Sequence, residues 1–223
     1  GVYTIPQLVA NQHLNPLNPS GLRYFRQQLQ MEKSANQDTS EWVSDSLADE
    51  MSSWQYPLHF IDFETCTVAL PFHKDEHPYA MIASQFSIHT LKEDGTIVHY
   101  EWLADKTGVD PTIQFVQELQ SILSKDHGSI FMYANHENAV LKAAKQRMIP
   151  HQEKYQAELA FIDAITFTKG EHHPPRVMIN LCKIVEQHYY HPLTKGSNSL
   201  KAVLPAIMQT SPLLKDLYSF PLL

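Results

Sequence analysis

One stretch, Leu58-His59-Phe60-Ile61-Asp62-Phe63-Glu64-Thr65, constrains what this chain can fold into more than any other. It reads as a short buried strand. Side chains alternate along a strand, so Leu58, Phe60, Asp62 and Glu64 share one face, and Ile61 and Phe63 point to the other. Apolar residues on both faces argue for a central strand rather than an edge. Two carboxylates two residues apart are costly at the end of such a strand, because each loses hydration beside a like charge. Two readings follow. Either a hard divalent cation is held by both acids, or both lie just past the strand end and are solvated.

The rest of the chain fits around that strand. Residues 1–19, with Pro6, Pro16 and Pro19, read as irregular, and Ser20 can cap a helix over 21–33. A polar linker over 34–41 leads to a short helix around 42–51, so 1–53 is expected to be a helical appendage or linker. A compact domain, 54–223, begins near Trp54. After the first strand comes a loop over 67–79, and the alternation predicts strands over 81–91 and 96–103 around the turn signal Glu93-Asp94-Gly95. Asp110-Pro111 starts a helix whose apolar face is Val116, Leu119, Ile122 and Leu123. Ser129–Tyr133 is a fourth strand, and Glu137–Arg147 a second helix. Further helices are expected over 153–167, 176–189 and 198–208, with Pro205 kinking or ending the last. Three antiparallel strands followed by a right-handed crossover place the fourth strand parallel to and beside the first. The expected fold class is therefore α/β: a ribonuclease H-like mixed sheet flanked by helices, with an N-terminal helical appendage.

Composition bounds the function. At 223 residues with 43% apolar and 18% charged residues, the chain can bury a real core. It has no apolar run long enough to span a membrane. The start carries neither a basic n-region nor an apolar h-region, so no signal peptide is expected, and the absence of an initial methionine suggests an excised piece. Two cysteines, Cys66 and Cys182, argue for a reducing, cytoplasmic compartment. A net charge of -7 argues against a protein that coats nucleic acid generically, but not against a nuclease with a local basic groove. Between Lys169 and Lys201 there are five basic residues (Lys169, Arg176, Lys183, Lys195, Lys201) against two acids (Glu171, Glu186), a local excess of that kind.

The crossover brings Asn135, His136 and Glu137 to the end of the first strand. Glu137 opens a helix, where the helix dipole favours an anion, and is a sensible third ligand for the same metal. His136 either orients water or phosphate, or is a partly exposed turn histidine. The 13 histidines show no zinc spacing: His136-Glu137 lacks the second histidine of H-E-x-x-H, and His188 and His191 read as surface or packing residues.

Taken together, Phe60-Ile61-Asp62-Phe63-Glu64-Thr65, His136-Glu137-Asn138, Tyr189-Tyr190-His191-Pro192 and Gly196-Ser197-Asn198-Ser199-Leu200-Lys201 resemble one uncharacterised bacterial domain family over about 54–208. That family is similar to DEDD-type exonucleases, and its members commonly lie C-terminal to a RecB-like nuclease domain. The resemblance implies a two-metal phosphodiesterase, a hydrolase of DNA or RNA that uses Mg²⁺ or Mn²⁺ ions about 4 Å apart. It assigns Asp62, Glu64 and Glu137 as metal ligands, with His136 and Lys201 as further catalytic residues, Lys201 meeting a phosphate or simply lying solvated on its helix. Nucleic acid is the implied partner, with an upstream RecB-like domain or partner subunits as others. Asn180 stands where the pattern leads one to expect Asp, and a neutral amide cannot replace that charge at a metal. The fourth acid of a DEDD-type site lies on a late helix. Asp216 matches it poorly and Asp163 reads as a helix-surface acid, so the domain is expected to lack its C-terminal part. The alternative is a nucleic-acid-binding or assembly module that has lost turnover.

Overall fold

The computed structural model describes residues 21–73, 76–106 and 108–218. In chain order the elements are α1 (Leu22–Ala35), β1 (Trp42–Val43), α2 (Leu47–Ser52), β2 (Leu58–Cys66), β3 (Ile82–Leu91), β4 (Ile97–Leu103), α3 (Thr112–Leu123), β5 (Ile130–Met132), α4 (His136–Met148), α5 (Gln156–Ile165), β6 (Ile179–Asn180), α6 (Leu181–His188), β7 (Tyr189–Tyr190), α7 (Leu200–Thr210) and α8 (Pro212–Leu217). The irregular reading of 1–19 and the Ser20 cap fall outside the described residues. Two compact units result: Ser52–Leu181, and Gly1–Met51 taken together with Cys182–Leu223.

The unit Ser52–Leu181 is a mixed α/β layer structure built on a five-stranded sheet of order β4-β3-β2-β5-β6. β2, β3 and β4 are antiparallel neighbours, whereas β5 runs parallel to β2 and β6 parallel to β5. The three-strand meander and the parallel fourth strand thus stand as the sequence pattern predicts. β6 falls within the helix expected over 176–189, which begins only at Leu181; two residues are too few to carry any periodicity. β2 and β3 bury alternate residues over much of their length, and β5 is buried throughout. Ile61, Phe63, Phe86 and Ile88 pack with Phe115, Val116 and Leu119 of α3, Val140 and Leu141 of α4, and Phe161 and Ile162 of α5 in one core. Phe115 lies edge-on to both Phe63 and Phe86. The α3 start follows the Asp110-Pro111 signal, with the Asp110 carboxylate accepting from the Thr112 N–H at 2.9 Å.

The parallel pairing of β2 with β5 depends on Gly128. A Cβ there would stand 1.9 Å from the Pro57 carbonyl oxygen, so only glycine lets the two backbones approach this closely. That approach lets the Ser129 N–H reach the Gln55 carbonyl at 2.8 Å and the His59 N–H reach the Ser129 carbonyl at 2.9 Å. These bonds set the register His59↔Ile130 and Phe60↔Phe131.

In the other unit, β1 pairs antiparallel with β7, Trp42 opposite Tyr190. Trp42 therefore lies on a strand, not on the helix that the sequence suggests, and Phe25 packs edge-on against it at 5.1 Å. Arg26 gathers the chain here, donating to the carbonyls of Glu186 at 2.9 Å and Tyr189 at 2.8 Å and to the Asn198 side chain at 2.5 Å. α7 runs on through Pro205 to Thr210. Proline removes one intrahelical N–H, but Pro205 is exposed, so the carbonyl left without it can turn to water, while Val203 and Ala206 on either side are buried.

Candidate functional site

β2 delivers both motif acids to one face near its C-terminal end. Asp62 and Glu64 are exposed, while Ile61 and Phe63 between and beside them are buried in the core. The pairing register extends this face across the sheet. Asp62 stands opposite Ser87 on β3, which stands opposite Glu101 on β4. One step towards the start of β2, Phe131, Phe60, His89 and His99 occupy successive strands in register. Phe60 and Phe131 stack at 5.0 Å, and His89 and His99 at 4.4 Å. Ser87, Glu101, His89 and His99 were not singled out from sequence. Their signal was present, since His89 and His99, and likewise Ser87 and Glu101, are mirror positions about the Asp94 turn.

The turn between β5 and α4 brings up the third acid. Glu137 lies in the first turn of α4 and is 3% exposed. Its Oε2 is buried and has no hydrogen-bond partner among the described residues. Burial pushes the carboxyl above its ordinary range and the charge of Asp62 pushes it further, against the opposing pull of its own backbone N–H and of His136. Asp62 and Glu137 are thus electrostatic neighbours. Next to it, Asn138 is also buried and anchors the helix start: its side chain accepts from the Phe167 N–H at 2.9 Å and donates to the Phe167 carbonyl at 3.2 Å. His136 is exposed at the head of α4.

The Asn180 carbonyl oxygen accepts from the Ala134 N–H at 3.1 Å. Ala134 has φ 74°, a left-handed backbone that a side chain with a Cβ rarely adopts. Asn180 therefore secures the strained turn that aims Glu137. A carboxylate could accept from the same N–H, so the amide serves this holding role without supplying charge. Asp163 is exposed on α5, where Lys145 pairs with it. Lys201 and Asp216 belong to the other unit, Lys201 exposed on the first turn of α7 and Asp216 exposed on α8.

The donor set bears on the expected metal. An orphaned, buried carboxylate oxygen beside a second carboxylate suits a hard divalent cation, which would neutralise both. Glu64 presents a third acid on the Asp62 face. Among the described residues, no group of three or more His, Cys, Asp or Glu side chains is gathered closely enough to form a ready-made metal cage. The fit is to a two-carboxylate site open on the remaining sides.

A family model described as a domain of unknown function, DUF2779, matches residues 59–199. The chain belongs to the DUF2779 family. The DUF2779 match takes in Asp62, Glu64, His136, Glu137 and Asn180 and ends two residues before Lys201. No curated protein and no solved structure matches the chain.

A hollow in this unit lies elsewhere, towards the start of β2. A cleft of about 390 Å³ is lined by Tyr56, His59, Thr90, Lys92, Tyr100, Lys125 and Asp126, among others. Its floor is a buried relay. His59 is 2% exposed, with Nε2 2.9 Å from the Asp126 carboxylate and Nδ1 2.9 Å from the Thr90 hydroxyl. With Asp126 as acceptor, Nε2–H donates and the Thr90 hydroxyl donates to Nδ1. Both ring nitrogens are satisfied, so this histidine ties β2 to β3 and to the turn that follows α3.

Proposed function

We propose that this DUF2779 domain is a metal-dependent nuclease, of ribonuclease H-like fold and DEDD type, that hydrolyses phosphodiester bonds of DNA or RNA from an end. The observation that carries the reading is the unpartnered, buried Oε2 of Glu137 beside Asp62 at the end of a central strand. Nothing in the core requires an acid there, and burying one unpaired is costly. Asp62 and Glu137 would hold Mg²⁺ or Mn²⁺, with water filling the open sides and Glu64, on the Asp62 face, reaching the ion through that water. The ion would supply Lewis-acid stabilisation of the charge that develops on the phosphate oxygens. His136, exposed at the helix start, is placed to hold the attacking water or a phosphate oxygen, and the N-terminus of α4 adds its partial positive charge.

Mg²⁺ or Mn²⁺ should raise the melting temperature, and Asp62→Ala should abolish that rise. End-labelled single- and double-stranded DNA and RNA, incubated with the protein and its Glu64→Gln form, provide the activity test. Loss of cleavage in the variant supports the reading. Equal cleavage by both proteins would assign the signal to a contaminant and sink it.

A second reading is favoured by the absence of a three-donor cage among the described residues and by the neutral side chain at Asn180. On it, the domain binds nucleic acid or partner subunits without turnover. Metal-dependent binding with no cleavage under any ion would select it.

A further inference from the structure

The sheet face that carries Asp62 also holds a pair of side chains that carboxylate-centred chemistry does not use. His89 and His99 face each other on adjacent antiparallel strands, and both are exposed. Their rings lie 4.4 Å apart, with planes inclined by only 18°. Two nitrogens bound to one tetrahedral zinc ion lie about 3.4 Å apart, given Zn–N bonds of about 2.05 Å. Stacked rings offer each other their faces, so both must turn out of the stack before their in-plane nitrogens can meet one ion; side chains at directly paired strand positions, both exposed, can turn in this way without moving the backbone.

We propose that His89 and His99 form a binding site for a divalent transition ion of borderline softness, of the Zn²⁺, Cu²⁺ or Ni²⁺ class. Imidazole nitrogen suits these ions, whereas Mg²⁺ and Mn²⁺ favour the oxygen donors of the acid site. The Ser87 hydroxyl lies 3.0 Å from His99 Nε2 and engages that nitrogen, which leaves Nδ1 as the one available to an ion. Phe60, in register with His89 on the inner side, walls the pair off from that direction, while β4 forms the edge of the sheet and leaves the His99 side open. Water completes the shell, since no third donor is gathered with the two rings among the described residues. The site is separate from the Asp62–Glu137 pair and stands whether or not that pair is catalytic.

The test titrates the whole chain with Zn²⁺, Ni²⁺ and, as a control, Mg²⁺, following heat and stoichiometry, and records the Cu²⁺ electron paramagnetic resonance spectrum. The variants are His89→Gln, His99→Gln and Asp62→Asn, all at exposed positions. The wild type should bind one Zn²⁺ or Ni²⁺ tightly, and Cu²⁺ should show nitrogen coupling from two ligands. Each histidine variant should weaken Zn²⁺ binding by more than the roughly tenfold that loss of an outer hydrogen-bond partner costs. The two-nitrogen Cu²⁺ signal should survive in Asp62→Asn, and lowering the pH from about 7.5 to about 5.5 should weaken binding, since protons compete with a metal for imidazole nitrogen. Unchanged Zn²⁺ affinity in both histidine variants would overturn the proposal. So would loss of binding in Asp62→Asn alone, which would place the transition ion among the carboxylates.

Discussion

The Asp126 carboxylate shows how one side chain can tie several segments together. Partial burial alone would raise its pKa. The hydrogen bonds from His59 and from the Gly128 N–H outweigh that, and with the nearby charge of Arg176 they hold it below the ordinary carboxylate value. Ionised Asp126 therefore adds stability that is present above the unfolded-state pKa and is lost as pH falls through the lower folded value. Asp126→Asn should cost on the order of 1–3 kcal/mol near neutral pH, the worth of hydrogen bonds to a charged group. The gap between the two proteins should narrow below about pH 4, as seen in urea unfolding at a series of pH values. Nothing in the sequence around Asp126 announces this role, since its partners, His59 and Arg176, are 67 and 50 residues away. Asp62 and Glu64, by contrast, were legible, because strand alternation alone puts them on one face with the core on the other.

Among the elements, the β5–α4 connection holds Ala134 in the left-handed region. Ala134→Gly relieves a left-handed conformation and should stabilise the protein by on the order of 1 kcal/mol, measurable as a raised melting temperature. Gly128→Ala should do the reverse. Its methyl group would collide with the Pro57 backbone, and the β2–β5 register would have to open. A loss of more than about 3 kcal/mol, in the range of the exceptional single substitutions, is expected in chemical denaturation. Long elements were readable from their periods: β2, β3, β4 and α4 lie within two residues or so of their predicted bounds. β1, β6 and β7, two residues each, were not, because two residues carry no period and their pairing partners are distant in sequence. The hairpin β3–β4 was readable as strands and turn, but its cross-strand pairs were not worked out, so the His89–His99 stack was missed although the Asp94 turn implies it.

For the molecule as a whole, the charge of -7 sets the terms on which a polyanion can bind. Among the described residues no helix is long and apolar enough to cross a membrane. If the domain acts on nucleic acid, an ion at Asp62 and Glu137 must offset the local negative charge before a phosphate can approach. Affinity for a labelled single strand should therefore rise with Mn²⁺ or Mg²⁺ and fall on chelation. Asp62→Ala should uncouple affinity from metal. A shallow decline between about 50 and 200 mM monovalent salt would go with few phosphate contacts, since the slope counts the counterions released. Metal-independent affinity in a fluorescence anisotropy titration would contradict the site. The family match was legible from motifs spread over most of the chain, whereas the turn-holding role of Asn180 required coordinates.

That role has a bearing on the order in which the chain assembles. The meander β2–β3–β4 is local and can close early. The turn that presents Glu137 is held by an amide 46 residues further along the chain, on a two-residue strand that pairs only with β5. Contacts of that separation carry a larger loop-closure cost and form late. During synthesis the scaffold would thus be in place while Glu137 was still unaimed, and a growing chain would not present that carboxyl beside Asp62 until residue 180 had docked.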